Sequence, residues 1–173
     1  MARIILLVLL FVFAKPVYYS QNDPEWGKIV MTCNNGTSST FDDVGCGETV
    51  VAMLMSSVDT RYTPEVVVDE IYGHEWCRGT GKQQNADVLK SQGFTVIPVL
   101  GDVEDYFWSG WNIVGYVPGH YILIVGMRNG EYAIYDPDHG VGFSGEDKFP
   151  YDKSDIVLLY AVKHREAKNA NAE

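Results

Sequence analysis

Three side chains spread along the chain have the types needed to cut an amide bond: Cys46 in Gly45-Cys46-Gly47-Glu48-Thr49, His120 in Gly119-His120-Tyr121-Ile122, and Asp136 in Tyr135-Asp136-Pro137-Asp138. A thiolate attacks a carbonyl effectively when an imidazole holds its proton and later delivers it to the leaving amine. A carboxylate accepting the imidazole Nδ1–H would fix the tautomer that faces sulfur. Cys46 directly precedes the apolar run Val50-Val51-Ala52-Met53-Leu54-Met55, which reads as a buried helix. A thiol at a helix start is a candidate nucleophile, because unpaired amides and the positive dipole end favour a thiolate there. Asp138 and His139 compete for the two partner roles but rank lower, since they lie beyond the strand in a Gly-containing loop. His74 reads as a loop residue.

The elements that must position these groups fall into two halves. A helix is expected over about 46–57, and Thr63-Pro64-Glu65 caps a second, to about Tyr72, with Pro at its first position. A third runs from about Gln83 to Gln92, stopped by Gly93. An aromatic, turn-rich lead (18–27) and a polar loop (34–43) precede them. From Phe94 onward the pattern changes to short apolar runs of period two: 95–97, 113–117, 121–125, 132–135 and 156–162. Helices followed by an antiparallel sheet make an α+β domain whose halves meet in a cleft. Trp108, Trp111 and Tyr121 are its expected aromatic walls.

Length and composition narrow the function. The 173 residues suit one domain, and 46% hydrophobic with 21% charged residues is ordinary globular usage. A formal net charge of −10 argues against nucleic acid as a partner. The four histidines lack close pairing with cysteines and the acidic residues form no spaced calcium loop, so neither metal nor cofactor is implied. Arg3 and the apolar run Ile4–Ala14 read as a signal peptide at 1–14, since eleven residues fall short of the ~20 that span a bilayer. The expected organisation is this signal, a domain over 15–164 and a polar tail over 165–173, in a monomer that is secreted or extracytoplasmic and keeps no membrane span. Three cysteines in an exported chain imply one disulfide and one free thiol. The loop settings of Cys33 and Cys77 pair these two and leave Cys46 free, with three unpaired thiols as the alternative.

The ordered fragments Tyr19-Ser20-Gln21-Asn22-Asp23-Pro24-Glu25-Trp26-Gly27, Gly45-Cys46-Gly47-Glu48-Thr49, Gly119-His120-Tyr121-Ile122 and Tyr135-Asp136-Pro137 resemble the C39-like members of the papain-like cysteine peptidases. That resemblance implies a papain-like fold, Cys46 as nucleophile, His120 as general base and acid, and Asp136 as orienter. It also implies Gln21 in the oxyanion hole beside the Cys46 backbone N–H. Two departures stand out. Glu48 occupies a position that the family usually gives to Pro or a small residue, and its carboxylate would oppose a thiolate. Gln21 lies farther ahead of the cysteine than in compact members, so Asp42, Asp43 or amides near Thr40 compete for its place.

The leading expectation is an exported cysteine peptidase or amide hydrolase, working on a peptide or protein through a thioester acyl-enzyme. A non-catalytic binding module on the same scaffold and a peptidoglycan amidase or transpeptidase are the alternatives. Strand parity gives a geometric expectation as well. A two-residue turn at Asn129-Gly130 would send Asp136 to the face opposite His120, whereas a three-residue loop pairing Met127 with Glu131 sets residue 122 against Asp136 and brings the two to one face. The three-residue loop is therefore expected.

Overall fold

In the computed structural model the described residues are 15–32, 35–74 and 81–165. The expected signal peptide at 1–14, both cysteines of the expected bridge, Cys33 and Cys77, and residues 166–173 of the expected tail lie outside them.

A short hairpin, β1 (Val30–Thr32) and β2 (Ser38–Thr40), opens the described structure after the lead. It runs into α1 (Phe41–Val44) and α2 (Cys46–Ser56). The expected polar loop at 34–43 is thus corrected: Val30 pairs with Thr40, and Phe41 is fully buried. β2 carries no apolar alternation because pairing rather than burial holds it, and period-two reading finds only strands with a buried face. Next come α3 (Pro64–Val67), continued by a π-helical turn at Val68–Tyr72, and α4 (Gly81–Ser91). The Thr63 hydroxyl caps α3 by accepting the Val66 N–H at 3.4 Å.

A six-stranded antiparallel sheet follows. Its strands are β3 (Phe94–Ile97), β4 (Asn112–Val117), β5 (His120–Arg128), β6 (Glu131–Asp136), β7 (Gly140–Phe143) and β8 (Val157–His164), with α5 (Val103–Trp108) between β3 and β4. The spatial order is β3-β8-β4-β5-β6-β7. Sequence patterning misses α5 and β7 for one reason: neither holds a fully buried residue.

Both faces of the sheet are covered. Leu123, Val114, Tyr160 and Val162 pack under α2, α3 and α4. Ile113, Ile122, Ile124 and Ile134 pack on the other face with Phe149, Ile156 and the aromatics of α5. Residues 50 to 55 of α2 are all at most 2% exposed. This helix is apolar all round because it lies between the sheet and the other helices. Truncating one such side chain, as in Leu54→Ala, costs about 2–5 kcal/mol.

The β5–β6 hairpin departs from the expected loop. Arg128 pairs with Glu131 across a two-residue turn in which Asn129 (φ 54°) and Gly130 (φ 83°) are both left-handed. This is the turn whose twist suits a hairpin. Parity is instead reversed inside β5, where the register shifts between Ile124 and Gly126 and leaves Val125 as the extra residue of a bulge. Beyond it Leu123 faces Tyr135, which sets Ile122 against Asp136 by a different device from the one expected. No helix of the described residues is long and apolar enough to cross a membrane.

Candidate active site

Cys46 opens α2 because Gly45 and Gly47 let neighbours crowd in on either side of it. A Cβ on Gly45 would lie 2.6 Å from the Phe41 carbonyl oxygen, and one on Gly47 would lie 2.6 Å from Asn85 Nδ2. The Thr49 hydroxyl donates back to the Gly45 carbonyl at 2.8 Å and tightens this first turn. Cys46 is half-buried and free. The first N–H groups of a helix have no intrahelical acceptor, so this end can meet a developing anion.

His120 is the first residue of β5. A two-residue Pro118-Gly119 turn joins it to Val117 of β4, and Gly119 supplies the positive φ, 84°, that such a turn needs. The imidazole Nε2 lies 2.7 Å from Asp136 Oδ1. The expected contact ran through Nδ1; the structure uses Nε2, which leaves Nδ1 for the sulfur. Burial pulls the imidazole pKa down, but donation to the Asp136 carboxylate, with the influence of the Cys46 sulfur and the charges of both groups, outweighs it and pushes the group up to about 10.

Asp136 is 0% exposed and fully engaged. Oδ1 accepts the backbone N–H groups of Asp138 (2.8 Å) and His139 (3.0 Å), and Oδ2 accepts the Tyr151 hydroxyl at 2.6 Å. His139 Nδ1 stands 3.2 Å from Oδ2, so this competitor attaches to the carboxylate without replacing His120. Burial alone would raise the Asp136 pKa; the His120 hydrogen bond and charge, with Tyr151 and the amides, hold it well below the usual carboxylate range. The ligand atoms of His120, Asp136 and His139 lie within 4.8 Å of one another, close enough to surround a cation. Such an ion would have to displace donors that already occupy the carboxylate.

The lead is stitched to the same strand end. Tyr18 Oη donates to the Asp136 carbonyl (3.1 Å), the Gln21 N–H to the Pro137 carbonyl (2.9 Å) and Asn22 Nδ2 to Asp138 Oδ1 (2.6 Å). Trp26 is buried and its indole N–H donates to the Ser20 carbonyl, which fixes the curve of the segment. Gln21, 5% exposed, donates Nε2–H to the Asp42 carbonyl at 2.6 Å. A nitrogen must face that carbonyl, so the orientation of the amide is settled and one N–H remains.

Two cavities meet at Asp43 and Gly119. One, of about 650 Å³, is walled by Cys46, Glu48, Asn85, Tyr116 and Tyr121. The other, of about 880 Å³, is walled by Gln21, Asp42, His120, His139 and Tyr151. Tyr121 is thus a cleft wall as expected. Trp108 and Trp111 are not: Trp108 is 87% exposed on α5, and Trp111 packs edge-on against Tyr106. Glu48 is 6% exposed, and burial pushes its carboxyl up to about 7. Its charge beside Cys46 is therefore weaker at neutral pH than the sequence implied.

Sequence reasoning missed Tyr151 and Asn85. Tyr151 sits in a loop with no period and gave no signal. Asn85 was accessible: it is a polar residue on the buried stripe of α4 with Ala86 and Leu89, and it accepts the Tyr72 hydroxyl at 2.6 Å.

No family model and no curated protein sequence matches the chain. Among solved structures, the peptidase domain of Streptococcus ComA, a bi-functional ABC transporter involved in a quorum sensing pathway, matches with a TM-score of 0.54. The match covers 79% of this chain and 96% of that one at 19% identity. The chain has a papain-like, C39-type fold. In it the helical half carries the candidate thiol and the antiparallel sheet carries the candidate imidazole and carboxylate.

Proposed function

We propose that the chain is a cysteine peptidase or amide hydrolase in which Cys46 is the nucleophile, His120 the general base and acid, and Asp136 the orienter. The observation that carries this reading is the His120 imidazole bound through Nε2 to the buried Asp136 carboxylate, with the Cys46 sulfur near enough to favour its charged form. An imidazolium beside the sulfur is the counter-charge a thiolate needs.

In the reaction, the sulfur attacks the substrate carbonyl carbon. The S–C bond forms while the carbonyl oxygen takes up negative charge. The Cys46 backbone N–H and the remaining Gln21 N–H are the donors assigned to that oxyanion. His120 gives its proton to the amine as the C–N bond breaks. Water, deprotonated by His120, then hydrolyses the thioester, releasing the acid and regenerating the thiol. Export belongs to the same reading, supported by the run Ile4–Ala14, and N-terminal sequencing of protein recovered outside the cell checks it.

The decisive experiment profiles cleavage of a diverse peptide library and of cell-wall sacculi by the protein and by Cys46→Ala. Cys46-dependent peptide cleavage is expected. Turnover of sacculi alone would assign an amidase, and no Cys46-dependent turnover of either would leave a binding module.

A further inference from the structure

Glu48 is 6% exposed, and among the described residues no side-chain partner accounts for that burial. Among the described residues no side chain donates a hydrogen bond to its carboxylate, and its own backbone amide is the donor that acts on it. A carboxyl group held in a protein without partners costs stability in its charged form. The cost is understandable where the group serves something that arrives from outside.

The surroundings say what that would be. Glu48 and Cys46, two positions apart on α2, both line the 650 Å³ cavity, so an occupant of this cavity also lies against the thiol. Asp43 adds a second carboxylate to the wall. Tyr116 and Tyr121, in edge contact at 5.3 Å, supply ring faces of the kind that attract cations. Lys82 is the one basic side chain on this wall among the described residues; it is exposed, and no ion pair joins it to Glu48. The formal charge of −10 also draws cations toward the molecule.

Resting on the peptidase reading above, we infer that this cavity is a substrate subsite for a lysine- or arginine-like side chain, with Glu48 as the residue that recognises its charge. Entry of the cation ionises Glu48 and replaces the lost water with a charge-assisted hydrogen bond. A neutral side chain of equal length would leave the carboxyl as it is.

The test uses the full protein and does not need turnover. Cys46 is alkylated with iodoacetamide in the presence of N-acetyl-lysine amide, N-acetyl-arginine amide or the neutral N-acetyl-norleucine amide. The two basic probes should protect at concentrations lower by about tenfold or more than the neutral one, the scale of a lost charge partner. Glu48→Gln, of nearly the same shape, should abolish that difference. Equal protection by norleucine, no protection by any probe, or a preference that survives Glu48→Gln would each overturn the inference. Should the variant fail to fold, the comparison of probes on the native protein still decides. Cleavage profiling separates this from the peptidase reading: Cys46-dependent cleavage without cation-selective protection sinks the subsite alone. Selective protection without cleavage keeps the subsite and sinks the peptidase.

Discussion

His120 Nε2 and Asp136 Oδ1 stand 2.7 Å apart because β5 contains one extra residue, Val125, between the turn and the site. The two-residue turn by itself would put these side chains on opposite faces of the sheet. The bulge reverses the alternation and returns Asp136 to the face that carries His120, Ile122 and Ile134. The pairing is thus a property of the ladder.

The first prediction follows from what this contact does to the imidazole. Burial lowers the His120 pKa and Asp136, by hydrogen bond and charge, is one of the two groups that together outweigh it, so in Asp136→Asn the titration midpoint should fall well below about 10. Following the imidazole Cε1 proton by NMR against pH checks this. An unmoved midpoint would mean that Asp136 does not hold the charge on His120.

Tyr151→Phe removes the hydroxyl that donates to Asp136 Oδ2 and leaves the ring in the core. Losing a hydrogen bond to a buried charge should cost about 1.5–3 kcal/mol in urea unfolding. Turnover should fall through kcat rather than KM, because the hydroxyl touches the carboxylate proposed to orient His120. A variant of native stability would show that the bond is worth nothing in water.

Gly47→Ala places a methyl group where Asn85 Nδ2 now lies, 2.6 Å from the ideal Cβ. Asn85 must move, which strains its bond to Tyr72. The expected destabilisation is about 1–3 kcal/mol. Adding Asn85→Ala should recover part of it, since the second truncation removes the clash. Strictly additive losses in the double-mutant cycle would argue against this contact.

Glu48 gives a pH signature. Its carboxyl is raised from the usual 4.5 to about 7 in the folded protein, chiefly by burial. Between these values the folded state binds more protons than the unfolded one, so stability falls as pH rises. The loss relative to Glu48→Gln is on the order of 3 kcal/mol. Urea unfolding of both proteins from pH 4 to 8 measures it. Parallel stability curves would show that Glu48 is solvated.

Much of this arrangement was legible in the sequence, and the residues show why. The Cys46 helix announces itself through flanking glycines and an unbroken apolar run, both of which reflect local sterics and burial. The joining of His120 to Asp136 was reachable through parity, but the device was not: valine is an ordinary strand residue, and nothing in its identity marks a bulge. Asn129-Gly130 is the pair that a two-residue hairpin turn prefers, and the bulge at Val125 is what reconciles that turn with His120 and Asp136 on one face. Tyr151 reaches Asp136 by tertiary packing from an aperiodic loop, so no local pattern could reveal it. Trp108 misled for the converse reason, since a large aromatic implies burial and this one is 87% exposed.

The bonds from Tyr18, Ser20 and Asn22 to residues 136–138 span 116 to 118 positions of chain. A ribosome releases the thiol and its helix long before the strand end that anchors the lead. The half-made chain can pack α2, α3 and α4, but it holds neither the carboxylate that charges His120 nor the clasp that seats Gln21. Contacts of such separation form late. The chemistry proposed for Cys46 therefore waits until residues 136–138 have been made, and a nascent chain that stops short of them carries its thiol without the groups proposed to arm it.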